Sequence, residues 1–432
     1  MSGIEALRDC VSGTLRRLGR FDDAIAGCFF VPGRIEVLGK HTDYAGGRSL
    51  LAAVDRGFVI AAARRSDDIV RVIDSTSGES VELHAAATGE AGGPAWATYP
   101  RTVLRRCARN FPAATGGADL VFASDLPPAA GLSSSSAFVV ATFMALDAVR
   151  GLSRTAEYQA AIGSTVDLAG YLGAVENGQD FPKLGGAAGV GTLGGSEDHT
   201  AILCARRGHL VQYSYVPVRF EGAVGVPPGW TFAVAASGVR AEKTGAVLER
   251  YNRLSSATQR LVQLWRDATT GRETTLASII AADPDAPLRL RAIVQQRAAV
   301  EADELLTRLS QFMAESEGVV PAACAALERR DIAGFAACAA RSQDLAEHAL
   351  RNQTPETIDL VERAHALGAA AASAFGAGFG GSVWALVREE HAHEFVGRWR
   401  SGYVGRFAGR RADASFFITP AGDPARQIQD IP

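Results

Sequence analysis

The sequence lacks the residue patterns of several common protein classes. Its six cysteines lie far apart and form no CxxC pair, and its eight histidines form no HExxH motif. We therefore expect neither a zinc site nor a disulfide framework, and reduced thiols in a cytoplasmic protein fit better. The chain also has no GxxxxGK[ST] loop, no internal repeat and no low-complexity linker.

An excess of one charge and a long apolar helix are absent as well. The net charge is −3, so no basic field attracts nucleic acid or a membrane surface. The N-terminal "MSGIEALRDCVSGTLRRLGRF" reads as an amphipathic helix without the apolar core of a signal peptide. Residues 366–387 carry no charge but are mostly Ala and Gly, which indicates a helix end, a glycine turn and a buried strand "SVWALV" rather than a membrane span.

A length of 432 residues predicts two domains. Strand and helix patterns mix without a regular βαβ alternation, and the chain reads as largely helical from about residue 242 to 368. We therefore expect an α+β fold with domains at 1–215 and 216–432. The boundary is placed in "VPVRFEGAVGVPPG", which is rich in Pro and Gly.

Three glycine-containing loops are candidates for ligand binding. In "LPPAAGLSSSSAFVVA", residues 126–141, a Gly and four Ser lead from a strand into a helix, an arrangement that suits a phosphate chain or simply caps the helix. "GVGTLGG" and "FGAGFGG" each contain a formal GxGxxG. Neither follows a strand, opens a helix and precedes an acid at the dinucleotide spacing, so a Rossmann dehydrogenase is not favoured.

Three segments in order resemble the GHMP kinases, most closely the galactokinase branch. "PGRIEVLGKHTDYAGG" is similar to that branch's sugar signature, PGRVN-I-GEHTDY-GG, and "PPAAGLSSSSA" to its phosphate loop. "GAGFGGSVWALV" resembles the third, C-terminal motif. The resemblance implies two α+β domains with the active site in the cleft between them. It also implies transfer of the γ-phosphoryl group of Mg·ATP to a sugar hydroxyl, in galactokinases the anomeric one.

The resemblance assigns chemistry to matching positions. Asp198 would receive or orient the acceptor proton, although alone it reads as an ordinary turn carboxylate, and Arg34 would stabilise charge on the transferred group. Ser135 would contact Mg²⁺ together with Glu176, which could instead form a surface ion pair. His41, Asp43, Gly195 and Tyr251 would bind the sugar, and Tyr251 could equally be a core residue. The nucleotide contacts implied are Gly131, Leu132, Ser133, Ser134, Ser135, Ser136, Trp96, Gly378 and Gly380.

Three departures from the family pattern bear on the substrate. Lys40 stands where the signature has Glu, and a Lys has three donors and no acceptor. It could therefore select a sugar acid, or turn away while galactose binds through the other contacts. A glycine-rich segment, "GQDFPKLGGAAGVGT", separates Glu176 from Asp198 and could act as a lid or selectivity loop. His199 replaces the usual Gln after Asp198.

The sequence favours an ATP-dependent kinase that acts on galactose or a galactose-like sugar. The alternatives are a kinase for a sugar acid or another modified sugar, with Lys40 as selector, and a non-catalytic sugar sensor. The expected partners are a small-molecule sugar and ATP, with Mg²⁺ as cofactor, and neither nucleic acid nor a membrane. The oligomeric state is not predicted.

Overall fold

The structure is a computed structural model that describes residues 3–21, 24–84, 92–239 and 245–428. For residues 245–247 it describes the backbone only. Within these ranges helices and strands mix without a strict alternation, which confirms the α+β class. The long helical part begins at Gly245, and residues 242–244 lie outside the described residues.

The described residues form twelve strands and fourteen α-helices. The strands are β1 (Ile25–Leu38), β2 (Arg48–Arg65), β3 (Ile69–Asp74), β4 (Ser80–His84), β5 (Gly117–Ser124), β6 (His209–Ser214), β7 (Arg219–Gly225), β8 (Trp230–Ala236), β9 (Ala371–Phe375), β10 (Ser382–Arg388), β11 (Ser415–Thr419) and β12 (Arg426–Gln427). The helices are α1 (Gly3–Arg17), α2 (Thr98–Asn110), α3 (Ser134–Arg150), α4 (Ala156–Ala161), α5 (Thr165–Asn177), α6 (Glu197–Cys204), α7 (Gly245–Ala268), α8 (Leu276–Ala282), α9 (Ala286–Arg297), α10 (Ala302–Phe312), α11 (Val320–Glu328), α12 (Ile332–Leu345), α13 (Pro355–Ala366) and α14 (Ala392–Arg406). Two π-helical turns, Met313–Val319 and Ala346–Leu350, follow α10 and α12.

The first sheet has eight strands. Six form the order β12-β1-β2-β5-β3-β4, while β6 pairs with β2 and β7 pairs with β6. The β3–β5 pair is parallel and the other pairs are antiparallel. Strands β7 and β12 lie beyond residue 215 but belong to this sheet, so the chain returns to its first half at its end. The domain boundary at 215 stays a prediction.

The second sheet has four antiparallel strands in the order β11-β8-β10-β9. Strand β10 contains "SVWALV", and residues 382–387 are all buried, as the sequence predicted. Helices α13 and α14 cover one face of the sheet, with Leu360 and Trp399 in the shared core. No helix in the described ranges is long and apolar enough to cross a membrane.

Helices α1 and α3 pack on the first sheet in different ways. The amphipathic helix expected at the N-terminus is α1, which buries Val11 and Leu15 against Phe30 and leaves Arg17 exposed. Helix α3 is apolar around most of its circumference, which is typical of a helix enclosed by other elements. Its burial fixes the position of the serine-rich turn at its start.

A buried tryptophan connects the two sheets. Trp384 of β10 is fully buried, and its indole Nε1 donates a hydrogen bond to the backbone oxygen of Val37 in β1 at 3.1 Å. The register of β1 against β2 shifts between Glu36 and Leu38. This contact therefore anchors the irregular end of β1, which leads into the polar residues 39–44.

We expect Trp384→Phe to weaken this connection between the sheets. The change leaves the Val37 oxygen buried without its indole donor, and we expect the free energy of unfolding to fall by about 2–3 kcal/mol. Denaturant titration followed by circular dichroism measures the loss. The control is Trp230→Phe, at the partly exposed start of β8, which should change stability by less than about 1 kcal/mol. Equal losses in both variants would contradict a special role for Trp384.

Candidate active site

A cavity of about 640 Å³ lies where the end of β1, the serine loop before α3 and the start of α6 meet. Residues of α5, α7 and the glycine loop between β9 and β10 complete its wall. The cavity therefore draws on both halves of the chain. Of the predicted residues, the following line it: Arg34, His41, Asp43, Trp96, Gly131, Ser133, Ser134, Ser135, Ser136, Glu176, Gly195, Asp198 and Tyr251.

The centre of the cavity is an ion pair between Arg34 and Asp198. Nε of Arg34 donates to Oδ1 of Asp198 at 2.8 Å, and Nη2 lies 2.6 Å from the same oxygen. Nη1 donates to the backbone oxygen of Gly131 at 2.6 Å, which joins the pair to the serine loop. Burial opposes the charge of Arg34, but the nearby carboxylates of Asp198, Glu197 and Glu36 outweigh it and raise its pKa. The guanidinium is therefore a permanent cation at this point.

The serine loop presents hydroxyl groups and the start of α3 to the cavity. Ser133, directly before α3, has a φ of 59° and makes no side-chain cap, so the prediction that serines cap this helix is wrong for Ser133. Its Oγ is buried and has no hydrogen-bond partner among the described residues. A buried, unpaired hydroxyl beside a helix N-terminus suits an anionic ligand. The side chain of Leu132 instead packs in the core and does not line the cavity.

The glycine loop between β9 and β10 supports the serine loop from behind. A Cβ at Gly376 would lie 3.0 Å from the oxygen of Gly131, and Gly381 also packs on this turn. Gly378 and Gly380 do not line the cavity: a Cβ at either would meet Asn352 or Val239, at 2.5 and 2.7 Å. The expectation that these two glycines contact the nucleotide directly is therefore corrected to a packing role.

The carboxylate of Glu176 accepts a hydrogen bond from a serine at the start of α3. Oγ of Ser136 donates to Oε2 of Glu176 at 2.7 Å and lies 3.3 Å from Oδ2 of Asp198. Ser135, predicted to contact Mg²⁺ together with Glu176, lines the cavity one position earlier, and its role stays a prediction. Nε2 of His199 lies 3.0 Å from the same Oε2. Glu176 is almost fully buried, so the alternative of a surface ion pair is wrong.

These groups fit a magnesium ion by their chemistry. Carboxylate and hydroxyl oxygens are the ligands that Mg²⁺ prefers, and it usually binds through one or two carboxylates plus phosphates. Within the described ranges, no three His, Cys, Asp or Glu side chains form a preorganised metal site. The arrangement thus suits an ion that arrives with a phosphate ligand better than a resident one.

The opposite end of the cavity carries the residues predicted to bind sugar. Tyr251 is buried, with its ring centroid 5.4 Å from that of His41. Oδ2 of Asp43 accepts a hydrogen bond from the backbone N–H of Glu197 at 3.3 Å. A Cβ at Gly195 would lie 2.4 Å from that oxygen, so only glycine permits this close approach.

The orientation of His41 is fixed by two contacts. Its Nε2 lies 3.1 Å from the backbone oxygen of Ala377, which can only accept, so Nε2 carries the hydrogen. Nδ1 then accepts from the hydroxyl of Tyr44 at 2.9 Å, and Arg308 in turn donates to that hydroxyl at 3.1 Å. The ring is therefore held between the first sheet's polar turn and the glycine loop.

Lys40 does not reach the cavity, which overturns its assignment as a substrate-binding residue. Its side chain is buried, and Nζ donates to Oγ of Ser342 at 2.7 Å and of Ser373 at 2.8 Å. Burial lowers the pKa of Lys40, and the carboxylates of Glu315 and Glu36 oppose that shift. Lys40 therefore connects the polar turn to α12 and β9 and is unable to select a sugar acid.

Two aromatic side chains, Trp96 and Tyr99, also line the cavity. Trp96 lines it as predicted, with Nε1 donating to Glu79 at 3.1 Å and its ring 5.3 Å from that of Phe122. Tyr99, three residues later in the first turn of α2, also lines the cavity. Both rings lie against Phe138 of α3, the helix that follows the serine loop.

The glycine-rich segment after Glu176 forms part of the cavity wall. Asn177 holds it: Nδ2 donates to the oxygen of Gly195 at 3.0 Å, and Oδ1 accepts from Thr192 and from the N–H of Gly194. Thr192, Gly194 and Gly195 all line the cavity. The position of this segment in the cavity wall fits the predicted role in substrate selection, and that role stays a prediction.

Several lining residues escaped the sequence analysis, among them Glu36, Tyr99, Asn177 and Glu197. Glu36 follows Arg34 by two positions on a strand, a spacing that places both side chains on one face. Glu197 directly precedes Asp198 at the start of α6. Because side chains alternate between the two faces of a strand, the position of Glu36 two residues after Arg34 would have identified it from the sequence.

Three family models match the chain. The galactokinase galactose-binding signature matches residues 19–64, the GHMP kinases N terminal domain matches 98–181, and the GHMP kinases C terminal matches 323–405. Their order is that of the three motifs described above. The chain belongs to the GHMP kinase superfamily, in its galactokinase-like branch.

Relatives of this GHMP kinase align along nearly its whole length. A galactokinase of Roseiflexus sp. is 27% identical over 401 residues, 92% of each chain, and one of Streptomyces coelicolor is 27% identical over 403 residues, 93% of this chain and 94% of the other. The structure of Lactococcus lactis galactokinase complexed with galactose has a TM-score of 0.76 at 20% identity, covering 97% and 99% of the two chains. The Methanococcus jannaschii mevalonate kinase structure has a TM-score of 0.54 at 15% identity, covering 92% and 98%. These two structural likenesses support the GHMP kinase fold.

We expect Lys40 to act on the stability of this kinase. In Lys40→Met, the buried Glu315, Ser342 and Ser373 lose the ammonium group they surround, and the free energy of unfolding should fall by about 3–5 kcal/mol. The matched control is the exposed Lys183→Met, which should stay within about 0.5 kcal/mol. Denaturant titration measures both. Unchanged stability in Lys40→Met with weakened sugar binding would instead favour a direct contact with the substrate.

Proposed function

We propose that this protein is an ATP-dependent sugar kinase that transfers the γ-phosphoryl group to the anomeric hydroxyl of galactose or a galactose-like sugar. The observation that carries the proposal is the Arg34–Asp198 pair, which lies between a phosphate-type loop and a polar pocket. The relatives named galactokinases, aligned along most of the chain, support the same substrate class.

The serine-loop end of the cavity suits the nucleotide. The N-terminus of α3 and the hydroxyls of Ser133 and Ser134 offer donors and a positive dipole end for the phosphates. Trp96 and Tyr99 offer a flat aromatic surface for the adenine. Both features face the same cavity as Arg34, so the phosphate chain can extend toward the sugar.

Glu176 and the neighbouring serine hydroxyls would hold Mg²⁺ bound with ATP. The ion would supply positive charge that offsets the negative charge of the phosphates during transfer. Ser136 holds the Glu176 carboxylate by a 2.7 Å hydrogen bond, and the carboxylate is therefore oriented before a nucleotide binds.

The role of Asp198 follows from its position between the two ends. Its Oδ1 is engaged by Arg34, while its side chain retains 19% exposure to the cavity. The carboxylate is therefore held in place and can still accept or orient the proton of an acceptor hydroxyl. Arg34 supplies a fixed cation where negative charge develops on the transferred group. Positioning and charge are the main needs of phosphoryl transfer.

The alternatives drawn from the sequence are not supported. A sugar-acid kinase selected by Lys40 fails because the side chain of Lys40 points into a buried hydroxyl network away from the cavity. A non-catalytic sensor has no need of an Arg–Asp pair directed at the junction of sugar and phosphate. The named relatives support neither alternative.

The proposed activity is tested by measuring ATP consumption against a panel of neutral, amino and acidic sugars. We expect turnover with galactose or a close relative, none with galacturonate, and a product whose phosphate is on the anomeric carbon by NMR. A product phosphorylated at another hydroxyl would contradict the proposed acceptor position. The absence of ATP consumption with every sugar of the panel would contradict the proposed kinase activity.

Replacing Asp198 by Asn should separate chemistry from binding. The amide keeps the shape of the side chain but neither accepts the proton nor pairs with Arg34, and we expect kcat to fall by at least about 100-fold. ATP binding by calorimetry should remain measurable. The control is Asp285→Asn, an exposed carboxylate at the start of α9, which should leave kcat unchanged. An Asp198→Asn enzyme with near-normal kcat would remove Asp198 from the mechanism.

A further inference from the structure

The polar turn between β1 and β2 is bonded along its backbone by one face of α10 and the π-helical turn after it. Arg308, Gln311 and Glu315 follow each other at spacings of three and four residues, which places them on the same side of this segment. All three side chains are buried. Nε2 of Gln311 donates to the oxygen of Lys40 at 3.2 Å, and Oε1 of Glu315 accepts from the N–H of Gly39 at 2.8 Å. The turn therefore takes its position from α10.

Arg308 bonds more segments than the other two side chains. Its Nε donates to the backbone oxygen of Leu254 in α7 at 3.3 Å. Its Nη2 donates to the backbone oxygen of His41 and to the hydroxyl of Tyr44, the latter at 3.1 Å. Its Nη1 donates to the side-chain oxygen of Gln311. One guanidinium therefore joins α10 to the polar turn and to α7.

The charge of Arg308 is buried among neutral groups. Every acceptor that it bonds among the described residues is uncharged: two backbone oxygens, an amide oxygen and a hydroxyl. Neutral acceptors offset the cost of burying a charge less well than a carboxylate does. What the guanidinium supplies is geometry, because its rigid, planar set of donors bonds all of these acceptors at once.

Both segments that Arg308 joins carry residues predicted to bind sugar. The ring of His41 lies 5.4 Å from that of Tyr251, and Leu254 follows Tyr251 by three residues on α7. The hydroxyl of Tyr44 lies 2.9 Å from Nδ1 of His41. Burial raises the pKa of Tyr44 to about 12, so this hydroxyl keeps the proton that it donates. Arg308 thus fixes the backbone of His41 directly and the orientation of its ring through Tyr44.

We propose that Arg308 is a positioning residue for the acceptor sugar, which holds the polar turn and α7 at the spacing that the sugar requires. The inference rests on the proposed kinase function and concerns the sugar end alone. Arg308 lies behind the residues that line the cavity, and its bonds lead to the sugar end. Its loss should therefore weaken sugar binding and leave the serine loop and the Arg34–Asp198 pair in place.

The test measures steady-state kinetics with galactose and ATP each as the varied substrate. Arg308→Met keeps an unbranched side chain but removes every donor, and we expect KM for galactose to rise about tenfold or more while kcat and KM for ATP change less than about threefold. Arg308→Lys keeps the charge but offers a single nitrogen, so its galactose KM should fall between the two. The control is Arg291→Met: Arg291 is half-buried and also bonds α10, at Ser310, and all three constants should stay within about twofold.

Tyr44→Phe is the second variant, since it removes the hydroxyl between Arg308 and His41. If Arg308 acts through this hydroxyl, the double variant should raise the galactose KM by less than the product of the two single effects. Multiplicative effects would contradict this route. A merely structural role would lower the folded fraction and with it the apparent kcat, and would not raise KM for one substrate alone.

The outcomes separate this inference from the kinase proposal. A rise in galactose KM below about threefold in Arg308→Met, or an equal rise for both substrates, overturns the positioning role and leaves the kinase standing. If no sugar is phosphorylated, calorimetry with the full chain decides. Galactose binding that weakens in Arg308→Met while ATP binding is unchanged retains the role, and absent galactose binding or an equal loss overturns it. Circular dichroism identifies a variant that fails to fold, and Arg308→Lys and Tyr44→Phe then decide.

Discussion

The buried ion pair between Arg34 and Asp198 is the interaction on which the cavity depends. It joins residues 164 positions apart, and a further hydrogen bond from Arg34 to Gly131 includes the serine loop. A guanidinium is costly to bury unless every donor finds an acceptor. The backbone N–H of Arg34 bonds the oxygen of Leu132, so main chain and side chain both hold β1 against the loop. The position of the loop, the strand and α6 is thereby set by one residue.

That arrangement needs the second sheet as a support. Gly376 and Gly381 allow the loop between β9 and β10 to pack against Gly131 and Ala130, and Oγ of Ser382 donates to the oxygen of Ala130. A Cβ at Gly376 would lie 3.0 Å from the oxygen of Gly131, so a side chain there would require the serine loop to shift. The same glycine loop gives His41 its acceptor at Ala377. The serine loop and His41 are thus both supported by one turn of the second half.

The sequence predicted the elements and the residues whose chemistry is carried by local motifs. The α+β class, the buried strand β10 and the cavity positions of Arg34, Asp43 and Asp198 follow from strand patterns and from the family resemblance. Lys40 could not be placed this way, because its partners Ser342 and Ser373 are 302 and 333 residues distant. The hydrogen bond from Ser136 to Glu176 was not predicted either, because the two residues are 40 positions apart.

Lys40 is buried outside the cavity, whereas Glu36 and Glu197 line it, and these two features belong to one electrostatic arrangement. The ammonium of Lys40 lies behind the cavity wall, where the carboxylates of Glu315, Glu36 and Glu197 offset the burial that lowers its pKa. Its positive charge therefore stabilises the wall without meeting a ligand. The side that faces the cavity presents carboxyl oxygens, and Arg34 is occupied by Asp198. A sugar acid would meet like charge at this end, whereas the hydroxyl groups of a neutral sugar meet acceptors.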